Sequence, residues 1–400
     1  MFTAAQDGRQ DPMGNGGDAA VSQHCGRLGV TRLVLTDFRN YRTARLNLAP
    51  GPVVLTGPNG AGKTNLLEAV SFLSPGRGLR NARLSEVDRF GHDGGEAGWA
   101  VAATISTRRG PVAIGTGRIA AAERRAVRVD GEPVRGQAVL AERLGIVWLT
   151  PQMDRLFVEG PAGRRRLLDR LVLGLDPAHA GRVAAYEQAM RERARLLRDG
   201  TNDPSWLAAL EEVMAEKGVA VAAARRDAVE RLDRACTEAE GPFPQARLKL
   251  DGAVEAWLDA MPALAAEDRL KAELAACRAA DAQSGGAGVG PHRSDLAVTH
   301  AGKGVAAENA STGEQKALLI SIVLAHARLQ CEIRGEPPVL LLDEVAAHLD
   351  AFRREALFEA LAALDGQAWL TGTDAALFAP LRRDARFLSV ADGALTNTEF

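Results

Sequence analysis

The chain has 400 residues, 46% hydrophobic and 25% charged, with a formal net charge of −2. That length asks for one large or two medium folding units, and the composition excludes a mainly disordered chain. The lack of any apolar run near membrane-helix length excludes a spanning protein, near-neutrality excludes a uniformly basic nucleic-acid binder, and 4% aromatic residues argue against a base-stacking platform.

Residues 1–27 are rich in Gly, Asp, Gln and Ala and lack an apolar signal core. They read as a disordered tail, with Met13 as an alternative start. Cys25, Cys236, Cys277 and Cys331 are scattered, without metal-ligand or redox spacing and without a secretory signal. A reducing cytoplasm is the expected setting, without structural zinc.

Ordered sequence begins near Leu28. Val30 to Leu35 alternates as a strand does, and Phe38-Arg39-Asn40-Tyr41 turns. Pro52 to Thr56 is a short apolar run, the mark of a buried strand. Leu66, Val70 and Leu73, with Leu67, predict a helix over 65–74. Strands are predicted at 99–106, 112–117, 126–129 and 146–150. From 163 to 280 the chain turns Ala-, Arg-, Glu- and Leu-rich, predicting helices over 163–174, 178–198, 205–239 and 263–280. Residues 283–290 read as a Gly-rich linker. Beyond Asp295 the α/β pattern returns, with helices at 312–331 and 353–364 and strands at 339–342 and 368–370. The expected domains are a tail (1–27), a first α/β lobe (28–162), a helical arm (163–282) and a C-terminal α/β part (283–400).

Gly57-Pro58-Asn59-Gly60-Ala61-Gly62-Lys63-Thr64 matches the P-loop pattern, after an apolar strand and opening a helix. Its backbone N–H groups and the helix N-terminus suit phosphates, and Asn65 extends the nucleotide-binding set. Lys63 supplies charge to the β- and γ-phosphates, and Thr64 a hydroxyl for Mg²⁺. Val339 to Leu342 then delivers Asp343 to the Mg²⁺ shell, with Glu344 next to polarise the attacking water. Ser311-Thr312-Gly313-Glu314-Gln315 opens an apolar helix 32 residues before Asp343 (343 − 311). Ser311 and Glu314 form a capping box, and a capped helix start is also an anion surface. Gln152, after Leu149-Thr150-Pro151, is a candidate Mg²⁺- and water-sensing glutamine, although a plain surface Gln is the commoner case.

Charge is unevenly spread. Residues 101–170 hold 13 Arg against 7 acids, which permits phosphate contacts on one face. Arg164, Arg165 and Arg166 stand at a helix start, where cations are disfavoured. They point to an anion or an acidic partner, with DNA phosphate leading and a solvated helix face as the plain alternative. His292 and Arg293 read as lobe-junction or nucleotide-site residues, and His348 as a loop residue.

In order, the P-loop, the Ser-x-Gly-Glu motif, the acidic pair and Ala347-His348-Leu349-Asp350 resemble an ABC-type ATPase, with Asp350 in the D-loop place and Ser311, Gly313 and Gln315 forming a signature that acts in trans. Lys63 and Asp343 are 280 residues apart (343 − 63), as in the SMC-like branch. Within it, Leu33 to Tyr41, Glu159-Gly160-Pro161 with Arg164 to Asp169, and Gly290 to Leu296 resemble the RecF family over residues 28–390. Ser294 departs from that pattern where an acid is usual, and Thr371-Gly372-Thr373-Asp374 stands in place of a transporter's switch histidine.

The resemblance implies a two-lobe α/β ABC-type head with an inserted helical arm. It implies slow, DNA-stimulated ATP hydrolysis with Mg²⁺ and an ATP-dependent homodimer. It also implies binding to gapped or junction DNA, single- and double-stranded, a role in repair, replication and the SOS response with RecO and RecR, and a cytoplasmic, nucleoid-associated location. A transporter ATPase is disfavoured by the 280-residue separation. A chromosome-bridging SMC head is disfavoured because 118 inserted residues (163 to 280) are too few for two long arms and carry no Cys-x-x-Cys hook. A vestigial site is disfavoured by intact Lys63, Thr64, Asp343 and Glu344.

Overall fold

The computed structural model describes residues 28–89, 98–119, 124–200, 203–391 and 393–397, apart from the side chain of His348. The expected tail, with Met13 and Cys25, lies outside them.

Lobe I is built on an antiparallel sheet of order β2-β1-β4-β5-β6-β7. Its strands are β1 (Gly29–Phe38), β2 (Tyr41–Asn47), β4 (Ala100–Thr107), β5 (Gly110–Arg118), β6 (Arg125–Val129) and β7 (Glu132–Pro133). A second sheet has order β15-β14-β3-β13-β12-β8, from β3 (Val53–Thr56), β8 (Ile146–Leu149), β12 (Val339–Leu342), β13 (Ala368–Gly372), β14 (Arg386–Ala391) and β15 (Ala394–Asn397). All its pairings are parallel except β14 with β15.

The parallel strands are apolar because both faces are covered. Period-two alternation sorts their side chains between two cores. Val53, Leu55, Val339, Leu341 and Trp369 join lobe I; Val54, Leu340, Leu342 and Leu370 join the opposite core. Lobe I adds α1 (Lys63–Ser71) and the ring cluster Phe38, Phe72 and Trp99. A short helix, α2 (Ala138–Arg143), precedes β8. On the opposite face lie α3 (Pro161–Leu175), α9 (Thr312–Arg334), α10 (Ala351–Ala363) and a small sheet of β9 (Ala246–Asp251), β10 (Asp295–His300) and β11 (Val305–Ala306).

The arm comprises α4 (His179–Arg198), the first half of α5 (Pro204–Glu238), α6 (Ala253–Ala260), α7 (Ala263–Ala276) and α8 (Arg278–Ser284). Composition put all of 163–282 in one helical unit, but packing gives its start and a stretch in its middle to the head. Leu167, Leu168, Val229, Leu232, Ala246 and Leu248 lie in the head core, whereas Met214, Val219, Ala222 and Leu270 form the arm's own. The 35-residue α5, about 52 Å long at 1.5 Å per residue, runs through both.

Other differences are local. The helix predicted at 65–74 starts at Lys63 and ends at Ser71. The helix over 263–280 breaks at Cys277. β9 falls between the predicted helices 205–239 and 263–280, where no strand is predicted, although Ala246, Leu248 and Leu250 alternate with Arg247, Lys249 and Asp251. The 283–290 stretch is no free linker, since Gly285 caps α8 and Ala287 is buried in the arm core.

The arm also buries charge. Arg193, 1% exposed, donates to Glu211 at 2.9 Å, to Asp281 at 2.7 Å and to the Leu274 carbonyl. Removing the guanidinium strands Asp281 in the interior. Arg193→Met is expected to lower unfolding free energy by about 3–5 kcal/mol, read by urea denaturation, and a loss below about 1 kcal/mol would show the pair to be dispensable.

Candidate nucleotide-binding site

The loop Gly57 to Gly62 leaves β3 and opens α1. Gly57 (φ 147) would bring a Cβ within 2.2 Å of the Val390 carbonyl, and Gly62 (φ 114) within 2.5 Å of Asn40 Nδ2, so neither position admits a side chain. The first bond of the helix runs from Leu66 N–H to the Gly62 carbonyl. The N–H groups of the preceding residues therefore point out of the helix start as donors for an anion. Lys63, 4% exposed, donates to the Gly57 and Pro58 carbonyls at 2.7 and 2.9 Å. Burial lowers its pKa, while Glu344 and Asp343 oppose that shift.

Thr64 and Asp343, 279 residues apart, meet directly. The Thr64 hydroxyl lies 3.0 Å from both Asp343 carboxylate oxygens. A hydroxyl and a carboxylate side by side are the hard oxygen ligands that Mg²⁺ takes, so the donor set fits that ion. Thr371, on β13 between β3 and β12, completes the group. Its hydroxyl donates to Asp343 at 2.7 Å and accepts from the Glu344 N–H at 2.8 Å. Glu344 is thereby held at φ 53, a left-handed backbone that costs about 1–2 kcal/mol in a residue with a side chain. The reading of Thr371 only as the residue in place of a switch histidine missed this role.

A second layer braces the loop. In the β1–β2 turn Asn40 donates to the Ala61 carbonyl at 3.1 Å and Tyr41 to the Gly62 carbonyl at 3.0 Å. Burial raises the Tyr41 pKa, which keeps the phenol a donor. Arg39 forks onto Glu68 of α1 at 2.9 and 2.7 Å, and Arg80 reaches the same carboxylate at 2.6 Å. Asn65, expected to bind nucleotide, instead spends its side chain here: it donates to Asn40 and accepts from Arg80, both at 2.7 Å. The sequence signal is the turn Phe38 to Tyr41, which carries a resemblance but no assigned role.

The remaining predicted residues divide. Ser311 and Gly313 are exposed, and nothing lies within 4 Å of where a Gly313 Cβ would be. Ser311 is the N-cap of α9, its N–H and hydroxyl donating to Glu314 at 3.0 and 2.9 Å. Lys303, which pairs with Glu314, and those two bonds hold the Glu314 carboxyl near pKa 2. Gln315 is corrected: it is buried and donates inward to the Ala310 carbonyl at 2.9 Å. Asp350 caps α10 by accepting from the Arg353 N–H at 2.8 Å. Gln152 is exposed, just past β8, whose Leu149 pairs with Leu342.

The Arg164–Arg166 group is also corrected. Arg164 forks onto Asp295 at 2.8 Å and donates to the Leu156 and Glu159 carbonyls; Arg165 donates to the Ser294 carbonyl at 2.8 Å. The partners are internal, and Asp295 with Arg164 clamps α3 to β10. Only Arg166 is exposed. His292 lies at the arm junction, where Nδ1 meets the Tyr186 hydroxyl at 2.7 Å and Nε2 the Ala287 carbonyl at 2.8 Å.

The family model described as the RecF/RecN/SMC N terminal domain matches residues 29–371. With this fold and site, it defines a P-loop ATPase head of the SMC type. The DNA replication and repair protein RecF of Mesorhizobium japonicum is 51% identical over 375 residues, covering 92% of this chain and 98% of that protein. Its counterpart from Brucella suis is 50% identical over 375 residues, with 92% and 96% covered. The chain belongs to the RecF family. Among solved structures, the recombination mediator protein RecF-ATPrS in the RecFOR pathway superposes with a TM-score of 0.81 at 22% identity, covering 94% of this chain and 99% of that one. The Smc head domain of Pyrococcus furiosus does so at 0.53 and 18%, covering 93% and 96%. Both likenesses concern the fold.

Burial raises the Asp343 pKa against the lowering bonds from Thr371 and Thr64. Its ionised form thus opposes folding, and the opposition grows as pH rises through the raised pKa. Mg²⁺ needs that ionised form, so acidification should weaken Mg²⁺-dependent nucleotide binding sooner than an ordinary Asp would. Asp343→Asn is expected to raise the melting temperature of the nucleotide-free protein by about 1–3 °C and to abolish the further rise with Mg²⁺ and ATP. Calorimetric melts with and without both ligands check the two signs.

Proposed function

We propose that this chain binds ATP with Mg²⁺, dimerises around two nucleotides, holds DNA in that state and is reset by slow hydrolysis. The observation that carries the reading is the joining of Lys63, Thr64, Asp343 and Glu344 at one end of the parallel sheet. Thr64 and Asp343 would hold Mg²⁺, which screens charge between the β- and γ-phosphates. Lys63 leaves the loop carbonyls for the phosphates. Glu344, fixed by Thr371, orients the attacking water. Asp350 and Gln152 fill the D-loop and water-sensing places of this machine, and Ser311 with Gly313 meets the γ-phosphate of the partner subunit.

The relatives' name supports a part in DNA replication and repair. The RecFOR context of the solved RecF supports RecO and RecR as partners, and the family resemblance points to single-strand gaps or junctions as the place of recombinase loading. Among the described residues no helix is long and apolar enough to cross a membrane. A cytoplasmic, nucleoid-associated location fits a DNA partner. Sedimentation with and without ATP and gapped DNA tests dimer and ligand together: ATP should double the mass, and a mass indifferent to ATP would end the dimer reading.

Lys63→Ala is expected to lose ATP binding. Glu344→Gln should retain it while hydrolysis slows about 10²–10⁴-fold, measured by phosphate release under single turnover. Wild-type turnover in Glu344→Gln would remove the residue from the water-orienting role.

Ser311 discriminates trans contact from plain capping. Ser311→Arg should bind ATP as a monomer and neither dimerise nor hydrolyse it, whereas a lost cap alone costs about 1 kcal/mol regardless of nucleotide. Mixing Ser311→Arg with Lys63→Ala leaves one composite site intact and should restore some ATP-dependent heterodimer in sedimentation. Normal dimerisation of Ser311→Arg alone would leave Ser311 a cap only.

A further inference from the structure

The two sheets meet at a cleft separate from the P-loop. β2 brings Arg45 and Asn47, and β14 and β15 bring Arg386 and Asn397, around a floor that includes Leu388 and Leu395. The cleft has a volume of about 290 Å³. Arg386 pairs with Val53, at the start of β3, whereas the P-loop leaves β3 after Thr56. The Arg386 side of the cleft therefore sits at the opposite end of that strand from Lys63, and its lining residues are outside the nucleotide machinery.

Its chemistry is one-sided. Arg45 and Arg386 are exposed, and neither guanidinium has a hydrogen-bond or carboxylate partner among the described residues. No acidic side chain lines the cleft. Asn47 and Asn397 add amide N–H donors. The donors continue past the rim, because Arg32 stands directly across from Asn47 in the β1–β2 register and is exposed, with no partner among the described residues. Two cations placed together without a counter-charge repel each other, and an anion between them relieves that cost.

We propose that this cleft is a contact for the DNA sugar-phosphate backbone, with Arg45 and Arg386 gripping adjacent phosphates and Arg32 continuing the track. The inference rests on the DNA-binding reading above and gives it a surface. A backbone fits better than a lone nucleotide: no aromatic ring lines the cleft to stack a base, and the donors extend along a strand as a polyanion does. Arg164 and Arg165, tied to Asp295 and Ser294, are poorly placed for the task.

The test compares the full-length wild type with Arg45→Gln/Arg386→Gln, using gapped DNA, ATP and Mg²⁺ over a range of salt. ATP affinity and melting temperature should not change, because neither residue touches the nucleotide site or an internal partner. DNA affinity at low salt should fall about tenfold or more, and the slope of log affinity on log salt should drop by about 2, one for each lost phosphate contact. Restoring charge with Arg45→Lys/Arg386→Lys should return most of the slope. A parallel titration with inorganic pyrophosphate in a Lys63→Ala background separates a backbone contact from a free-anion site. Pyrophosphate binding that needs Arg45 and Arg386, with DNA affinity and slope unchanged, overturns the proposal in favour of a small-anion site. Unchanged DNA binding without pyrophosphate binding overturns it outright. If the wild type itself ignores DNA, the broader DNA reading fails and the cleft loses this ligand with it.

Discussion

The structure depends on one demand: a parallel sheet must be dry on both faces. β3, β12 and β13 are apolar at nearly every position and alternate their side chains between two cores. Lobe I closes one face, and the helices with the small β9–β10–β11 sheet close the other. Because β13 is hydrogen-bonded between β3 and β12, the P-loop and Asp343 end close together although Thr64 and Asp343 are 279 positions apart. The chemistry of the site follows from that strand order. Thr64 and Asp343 approach because β3 and β12, on either side of β13, present their C-terminal ends on one edge of the sheet.

Rigidity at that edge comes from buried polar groups. Asn40 and Tyr41 hold the carbonyls of the loop, so its N–H groups face outward. Glu68 is fully buried between Arg39 and Arg80. An ion cluster like this adds little net stability after desolvation, but breaking it is costly. Its effect is to fix position: it ties α1 to the β1–β2 turn and to the segment bearing Arg80. Thr371 does the same on the acidic side, holding Glu344 in a backbone state it would not adopt alone.

The arm is coupled to this platform by a continuous element. α5 carries arm-core residues in its first half and head-core residues in its second. At the junction Asp169 of α3 accepts a fork from Arg225 of α5 at 2.8 Å and meets His179 of α4 at 2.8 Å. These partners hold the Asp169 carboxyl near pKa 2 against the opposing effect of burial. Arg225 also donates to the Pro291 carbonyl, beside the His292 that bonds Tyr186. These bonds tie the arm to the segment leading into β10.

Local signals in the chain were enough to determine the P-loop, the acidic pair, the capped helix at Ser311 and the α/β pattern around a helical insertion. Those depend on short-range chemistry: glycines where a side chain cannot fit, apolar runs where both faces are dry, a carboxylate at a strand end. β9 escaped because six alternating residues between long helices carry little weight until β10 pairs with them across 44 residues (295 − 251). The partners of charged groups were not legible at all. Arg164 and Arg165 looked like a surface for phosphate, and only the tertiary structure put Asp295 against one and the Ser294 carbonyl against the other. Asn65 and Gln315 sit within binding motifs, yet packing turned both side chains to internal bonds. Sequence sets what a side chain can donate or accept; the fold sets what lies within 3 Å of it, and that distance decides whether an arginine is a clamp or a free hand.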